Sequence, residues 1–257
     1  MSKSCWITGA SSGIGRATAV SFAKRGDTVF ASARSLEGLI SLQKECEALS
    51  LKGKIIPLKL DVTNINEISK SLKYITNNIK NLDYVLLNAG TFIKEDSKVM
   101  SLKNTKSMID LNYTSVLNII ILLQEYFTVL SIKQVAVVSS VAAWRGLPMA
   151  AAYCSSKAAL KAAIESIELD YNNTSVSFRL FYPGFVKTPL TNKNDFKMPF
   201  IIKADVAGEK IYNSIKRSKK FEISFPLRFT MLMKFISMLP WPLYKWLMLN
   251  KIKNKID

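Results

Sequence analysis

The chain has 257 residues, 49% apolar and 21% charged, which excludes a disordered or fibrous protein and suits one α/β domain with a substantial core. It has no histidine and three cysteines (Cys5, Cys46, Cys154), which all but excludes zinc sites, histidine triads and a disulfide framework, and fits a reducing compartment. Its net charge of +17 is uneven, with 14 basic against 5 acidic residues from Lys193 onward, so the C-terminal part is expected to be attracted to polyanions, either nucleic acid or an anionic membrane.

In chain order, the first predicted strand, "KSCWITGA" (3–10), runs into "TGASSGIGRATAVSFAKRG", which opens an amphipathic helix over 13–25. The strand begins so early that no room is left for a signal peptide, and a cytoplasmic protein, peripheral at the membrane if its basic end binds lipid, is expected. Gly9, Gly13 and Gly15 fall at the strand-to-helix turn, where glycines let backbone amides approach a pyrophosphate at a helix N-terminus. The spacing is G-x-x-x-G-x-G, and a tight turn without a ligand is the competing reading. Strands follow at 27–33, 54–62, 83–90, 133–140 and 175–184, with helices at 36–50, 65–80, 104–130 and 153–172 between them. Continuous apolar strands alternating with helices predict a doubly wound, Rossmann-like parallel sheet in a single domain.

The last helix begins "AAYCSSKAAL" (151–160), which places Tyr153 and Lys157 one turn apart on the same face among small neighbours. A free tyrosine, with a pKa of roughly 10, is a poor acid or base at neutral pH. A nearby ammonium favours the phenolate and lowers that value, so the pair could manage a proton without histidine. Alone, the pair is read first as a core tyrosine beside a surface lysine, and the rest of the sequence has to decide. Cys154 reads as a small buried thiol.

Together "TGASSGIG" (8–15), "LNAG" (87–90), "SS" (139–140), "YCSSK" (153–157) and "PGFVKT" (183–188) resemble the short-chain dehydrogenases/reductases, in that family's order and spacing from residue 4 to about 190. The resemblance implies an oxidoreductase in which a nicotinamide cofactor supplies hydride. Tyr153 would then be the proton donor in carbonyl reduction, and Lys157 would lower its pKa and hold the nicotinamide ribose. Ser140 would hold the substrate oxygen, and Asn112, in "MIDLNYTSVLN", would support a water-mediated relay to the lysine. By the same resemblance the cofactor would lie against Gly9, Ser11, Ser12, Gly13, Ile14 and Gly15, with Asp61 and Val62 at the adenine. Asn88, Ala89 and Gly90 would follow, with Tyr153, Lys157, Pro183 and Gly184 also against the cofactor, and Val186 and Thr188 would orient the carboxamide. Leu87 stands where the family commonly has another asparagine.

At the end of the second strand an acid would select NAD, whereas arginine suits the 2′-phosphate of NADP. The family's pattern puts that acid at Ala33, and Arg34 follows it, so NADP (NADPH) is the expected cofactor. Ser12 lacks the basic character that many NADP-dependent members have before the second glycine. Residues 189–202, "PLTNKNDFKMPFII", occupy the place of the family's mobile substrate loop. Phe196, Met198, Phe200, Ile201 and Ile202 read either as contacts to an apolar substrate or as lid packing.

The expected activity is NADPH-dependent reduction of a lipophilic ketone or aldehyde. The alternatives are an NADP-dependent alcohol dehydrogenase working oxidatively and a non-catalytic NADP-binding sensor or scaffold on the same fold. A homo-oligomer, dimer or tetramer, is expected. No nucleic-acid motif accompanies the charge, so nucleic acid is not the expected partner.

Residues 1–224 form the expected dehydrogenase domain, and 225–257 an apolar, basic tail. Lys234 and Pro240 interrupt 225–250, so it is not a spanning helix. Two readings stand. One is an interfacial element, with Trp241, Tyr244 and Trp246 at headgroup level and Lys251, Lys253 and Lys255 against anionic lipid. The other is a segment packed over the substrate pocket or a partner subunit.

Overall fold

Seven parallel strands, in the order β3-β2-β1-β4-β5-β6-β9, form the central layer. The computed structural model of the chain describes residues 2–193 and 198–252. The strands are β1 (Ser4–Thr8), β2 (Thr28–Ala33), β3 (Lys54–Lys59), β4 (Tyr84–Leu87), β5 (Gln134–Val138), β6 (Ser177–Pro183) and β9 (Glu222–Phe225). A separate two-stranded pair, β7 (Val186–Lys187) and β8 (Ile202–Lys203), lies beyond the C-terminal end of β6. The helices are α1 (Gly13–Ala23), α2 (Leu36–Ala48), α3 (Ile65–Asn78), α4 (Leu102–Ile109), α5 (Ser115–Leu123), α6 (Ala151–Asp170), α7 (Ala204–Arg217), α8 (Leu227–Ser237) and α9 (Trp241–Leu247).

Side chains alternate across each strand, so the apolar runs fill two cores, one on either face of the sheet. Cys5 and Ile7 of β1 join Phe22, Leu39, Leu42 and Ile211 from α1, α2 and α7. Trp6 points the other way and joins Ile68, Ile119, Leu123 and Leu160 from α3, α5 and α6. Its indole Nε1–H donates to Ser32 Oγ at 2.7 Å, so the buried ring leaves no polar atom unpaired. Pro57 lies in β3, the sheet's edge strand, where a missing amide donor is tolerated.

The order reverses between β1 and β4. Ligands of doubly wound sheets bind in the crevice that this reversal opens at the C-terminal ends of the strands.

The doubly wound architecture is the one expected from the sequence, with three differences. The helix expected over 104–130 is broken into α4, a five-residue π turn (Asp110–Thr114), α5 and a short 3-10 turn. Leu102–Tyr126 is long and apolar enough by composition to cross a membrane, yet Val116, Ile119, Ile120 and Leu123 bury its inner face on the sheet. Helix α7 and strand β9 had no counterpart in the sequence reading. Helix α7 packs so closely on α1 that a Cβ at Gly208 would lie 2.5 Å from the Ala17 backbone.

Candidate active site

The turn from β1 into α1 is shaped by its glycines. Gly9 has φ of +67°, a left-handed conformation that favours glycine, and a Cβ there would meet the Ala89 Cα at 2.8 Å. Gly15 is buried behind the turn, where a Cβ would fall 2.3 Å from the Gly9 carbonyl oxygen. No side chain caps the N-terminus of α1 and no acid lies in its first turn. Its amides and positive dipole end therefore face the crevice, which suits an anionic group.

Thr8 at the end of β1 and Asn88 just after β4 brace this turn. The Asn88 and Ala89 amides donate to Thr8 Oγ1 at 3.0 and 3.2 Å, and Asn88 Nδ2 donates to the Thr8 and Gly9 carbonyls at 3.1 and 3.2 Å. With its amide so engaged, Asn88 supports the wall more than it offers a donor to a ligand. The Thr8 hydroxyl is a site residue that sequence reasoning missed, although it stands inside the glycine motif.

A crevice of about 400 Å³ runs from this turn across the ends of β1, β4, β5 and β6. Among the described residues it is lined by every expected site residue except Gly15 and Asn112. Arg34 and Asp61 stand at one end and Ser140, Tyr153 and Lys157 at the other. Burial pushes the Asp61 carboxyl up, but two hydrogen bonds from Thr63 and the attraction of Arg34 outweigh it and hold it below its ordinary value. Thr191 was also missed. Its hydroxyl accepts from the Thr188 amide at 3.0 Å and donates to the Val186 carbonyl at 2.6 Å, which pins the wall formed by those two residues.

At the catalytic end the Ser140 hydroxyl faces the Tyr153 phenol and favours its ionised form. Ser140 Oγ also accepts from the Ala142 amide at 3.2 Å, which fixes the turn after β5. The Lys157 ammonium donates to the Val138 carbonyl at 3.0 Å. Burial is the main cause for both titrating groups: the phenol is pushed above its ordinary value, and the ammonium down to about 8.

This corrects the sequence reading in one respect. Lys157 was expected to lower the phenol's pKa, but its proton is directed to β5, and only the Ser140 hydroxyl opposes the burial.

Asn112 lies fully buried in the π turn and does not reach the crevice. Its Oδ1 accepts from the Thr91 amide at 2.8 Å, and its Nδ2 donates to the Thr91 carbonyl at 2.9 Å and Ser156 Oγ at 3.1 Å. A Cβ on Gly90 would lie 3.1 Å from Asn112 Oδ1 and 3.6 Å from Lys157 Nζ, so these two residues adjoin across that glycine. The wider turn aims the carboxamide out of the helix, as π turns at functional positions commonly do.

The Tyr153 ring stands in an apolar corner. Phe92 meets it edge-on at 5.1 Å between centroids, and Ala142, Leu147, Ala150 and Cys154 complete the cluster. Cys154 is buried and accepts from the Leu147 amide. Of the expected substrate-loop residues, Phe200 and Ile201 are exposed and Ile202 pairs with Val186 in β8. Phe196 lies outside the described residues. Among these residues no cluster of carboxylates and thiols could hold a metal.

The cradle fits a dinucleotide: glycines where a side chain would block approach, an uncapped helix N-terminus for a pyrophosphate, and a lysine at the far end. Fold and site thus define a nucleotide-binding protein of the Rossmann-like class. The chain belongs to the short chain dehydrogenase family, whose model matches residues 3–198. It is an oxidoreductase of that family.

Over 238 residues it is 34% identical to an uncharacterized oxidoreductase of Myxococcus xanthus, covering 93% of each chain. It is 33% identical to the 3-oxoacyl-(acyl-carrier-protein) reductase of Thermotoga maritima, covering 74% of this chain and 77% of the relative. The fold matches an alcohol dehydrogenase from the archaeon Thermococcus sibiricus complexed with 5-hydroxy-NADP, with a TM-score of 0.78, 24% identity and coverage of 88% and 96%. Other solved neighbours of the same fold hold NAD or NADP, so the fold alone leaves that choice open.

Proposed function

We propose that the chain is an NADPH-dependent reductase of an apolar ketone or aldehyde, with Tyr153 as the general acid. The observation that carries this reading is that Tyr153, Ser140 and Lys157 converge at one end of the crevice that the glycine turn opens. A bound reduced nicotinamide would supply the hydride. Ser140 would hold the carbonyl oxygen and Tyr153 would deliver the proton to it. Lys157 would hold the nicotinamide ribose and replace the tyrosine's proton, and Asn112 would keep the Gly90–Thr91 segment and Lys157 in place. Gly9, Ser11, Ser12, Gly13 and Ile14 would hold the pyrophosphate, and Asp61 and Val62 the adenine.

The phenol is protonated at neutral pH, the form that carbonyl reduction needs in its general acid. The complete set of Asn112, Ser140, Tyr153 and Lys157 argues against a sensor that binds nucleotide without turnover. Arg34 at the end of β2, beside an Ala33 that offers no carboxylate, supports NADPH over NADH. The corner formed by Phe92, Leu147 and Cys154 supports an apolar substrate.

The test is to follow NADPH absorbance with a homologous series of aliphatic ketones and aldehydes. Turnover should rise with chain length. Consumption that ignores chain length would contradict the apolar-substrate reading.

A pH dependence follows from Lys157. Its value in the fold, about 8, lies below the ordinary lysine value, so the ammonium is complete below that pH and lost as pH rises through it. Since the ammonium is the form that bonds ribose and resupplies Tyr153, NADPH affinity and turnover are expected to fall above about pH 8, by up to tenfold per unit. A titration of NADPH binding that stays flat to about pH 10, where free lysine begins to deprotonate, would remove Lys157 from the cofactor site.

A further inference from the structure

We propose that the outer face of α8 and α9 docks on an anionic lipid bilayer and holds the active-site crevice close to it. Among the described residues 23 large apolar side chains are exposed, and nine of them lie between Leu227 and Leu249. On α8, Leu227, Met231, Phe235 and Met238 follow one another at intervals of three and four residues. The opposite side, with Phe229, Met233 and Ile236, packs on the protein. On α9, Trp241, Leu243 and Trp246 are exposed while Tyr244, and Met248 just beyond the helix, are buried. A helix apolar on both sides calls for a second apolar neighbour, and a contiguous exposed patch of this kind marks an interaction surface.

The face is held firmly. The Arg145 guanidinium donates to the Ser237 and Leu239 carbonyls at 2.7 and 2.5 Å and lies 4.2 Å from the centre of the Tyr244 ring. The Tyr244 hydroxyl donates to the Gly146 carbonyl. These contacts fasten the tail to the loop between Ser140 and Tyr153. They also correct one expectation: Tyr244 faces the protein and is not available to a headgroup. Of the basic residues expected against lipid, Lys253 and Lys255 lie outside the described residues, as does the side chain of Lys251.

Charge chooses the occupant. Residues 227–252 contain Arg228, Lys234, Lys245 and Lys251 and no acidic residue. Arg228 and Lys245 are exposed among the apolar side chains. Lys234 sits at the edge, 3.9 Å from Glu222. A second copy docked about a twofold axis would bring two such cationic faces together, with no acidic residue from 227 to 252 in either copy to pair them. Anionic headgroups pair with them, and indoles flanked by cations suit the headgroup layer. Helices of 11 and 7 residues cannot cross the hydrocarbon, so the contact is interfacial. The division between residues 1–224 and 225–257 is on this reading a division between catalysis and docking.

The inner side of α8 adjoins the crevice wall. A Cβ on Gly184, which lines the crevice, would lie 2.5 Å from the Phe229 ring, and the tilted Phe200 ring is centred 6.5 Å from the same ring. Docked, the crevice would lie one helix away from the bilayer surface, where an apolar carbonyl concentrates. That last step rests on the proposed reductase activity, while the docking itself does not.

The full chain should sediment with vesicles containing about one-third phosphatidylserine, and at least about tenfold less with phosphatidylcholine alone or when salt rises to about 0.5 M. Met231→Glu with Phe235→Glu, or Arg228→Glu with Lys245→Glu, should weaken binding about tenfold or more. Both pairs should leave NADPH affinity and reduction of a short water-soluble aldehyde unchanged. Reduction without vesicle binding would overturn the docking alone, and vesicle binding without reduction of any carbonyl would overturn the reductase reading alone. A lipid-free dimer that Phe235→Glu splits, with no vesicle binding, would assign the face to a second copy and overturn the proposal.

Discussion

Replacing Tyr153 by Phe is expected to lower carbonyl reduction by about 10²- to 10⁴-fold, the usual worth of a positioned general acid. The phenol faces the Ser140 hydroxyl, and it is protonated where the enzyme would work. Phenylalanine keeps the edge contact to Phe92 and the packing against Leu147 and Cys154, so the fold should be unaffected. NADPH affinity should also hold, because the dinucleotide is assigned to Lys157 and the glycine turn and the phenol contributes little to holding it. Lys157→Ala differs in a diagnostic way. It removes a group assigned to both the tyrosine and the ribose, so affinity and turnover should fall together. A Tyr153→Phe enzyme with near-normal turnover would show that another group supplies the proton.

Arg34→Ala is expected to weaken NADPH by about 10- to 150-fold and NADH little, which corresponds to losing a charge-assisted hydrogen bond of roughly 1.5–3 kcal/mol. Arg34 is exposed at the rim of the crevice, where its pull already lowers the Asp61 carboxyl. Adding Ala33→Asp should move the preference further, since a carboxylate at the end of β2 repels a 2′-phosphate and accepts from a 2′-hydroxyl. Competitive binding of the two nucleotides to each variant measures this directly. Equal losses for NADPH and NADH would make Arg34 a structural residue.

What was legible in the sequence has a common physical basis. Strands buried on both faces are continuous apolar runs, and a backbone approaching a pyrophosphate needs glycine, so β1, the turn and α1 announce themselves locally. Tyr153 and Lys157 were legible because a helix converts a spacing of four into adjacency. Features set by long-range contacts were not. Strand β9 has four residues at the sheet edge and no distinctive alternation, and α7 is fixed by its close packing on α1.

Asn112 was picked out, but not the π turn that holds it, because that turn is stabilised by Thr91, which lies 21 residues away in sequence. The hydroxyls of Thr8 and Thr191 gave no signal, since a threonine that braces a loop looks like any other. Direction of proton affinity also escaped the sequence. Proximity to Lys157 suggested a lowered phenol, but burial and the Val138 carbonyl decide otherwise.

The most direct measurement is the stoichiometry of a single reaction. Purified protein, NADPH and a medium-chain ketone are combined, and NADPH loss and alcohol formation are followed together in the unmutated chain and in Tyr153→Phe. One alcohol is expected for each NADPH consumed, with the rate nearly abolished in the variant. Tight NADPH binding with no alcohol formed from any ketone or aldehyde in the series would contradict the reductase assignment and leave a nucleotide-binding protein without turnover.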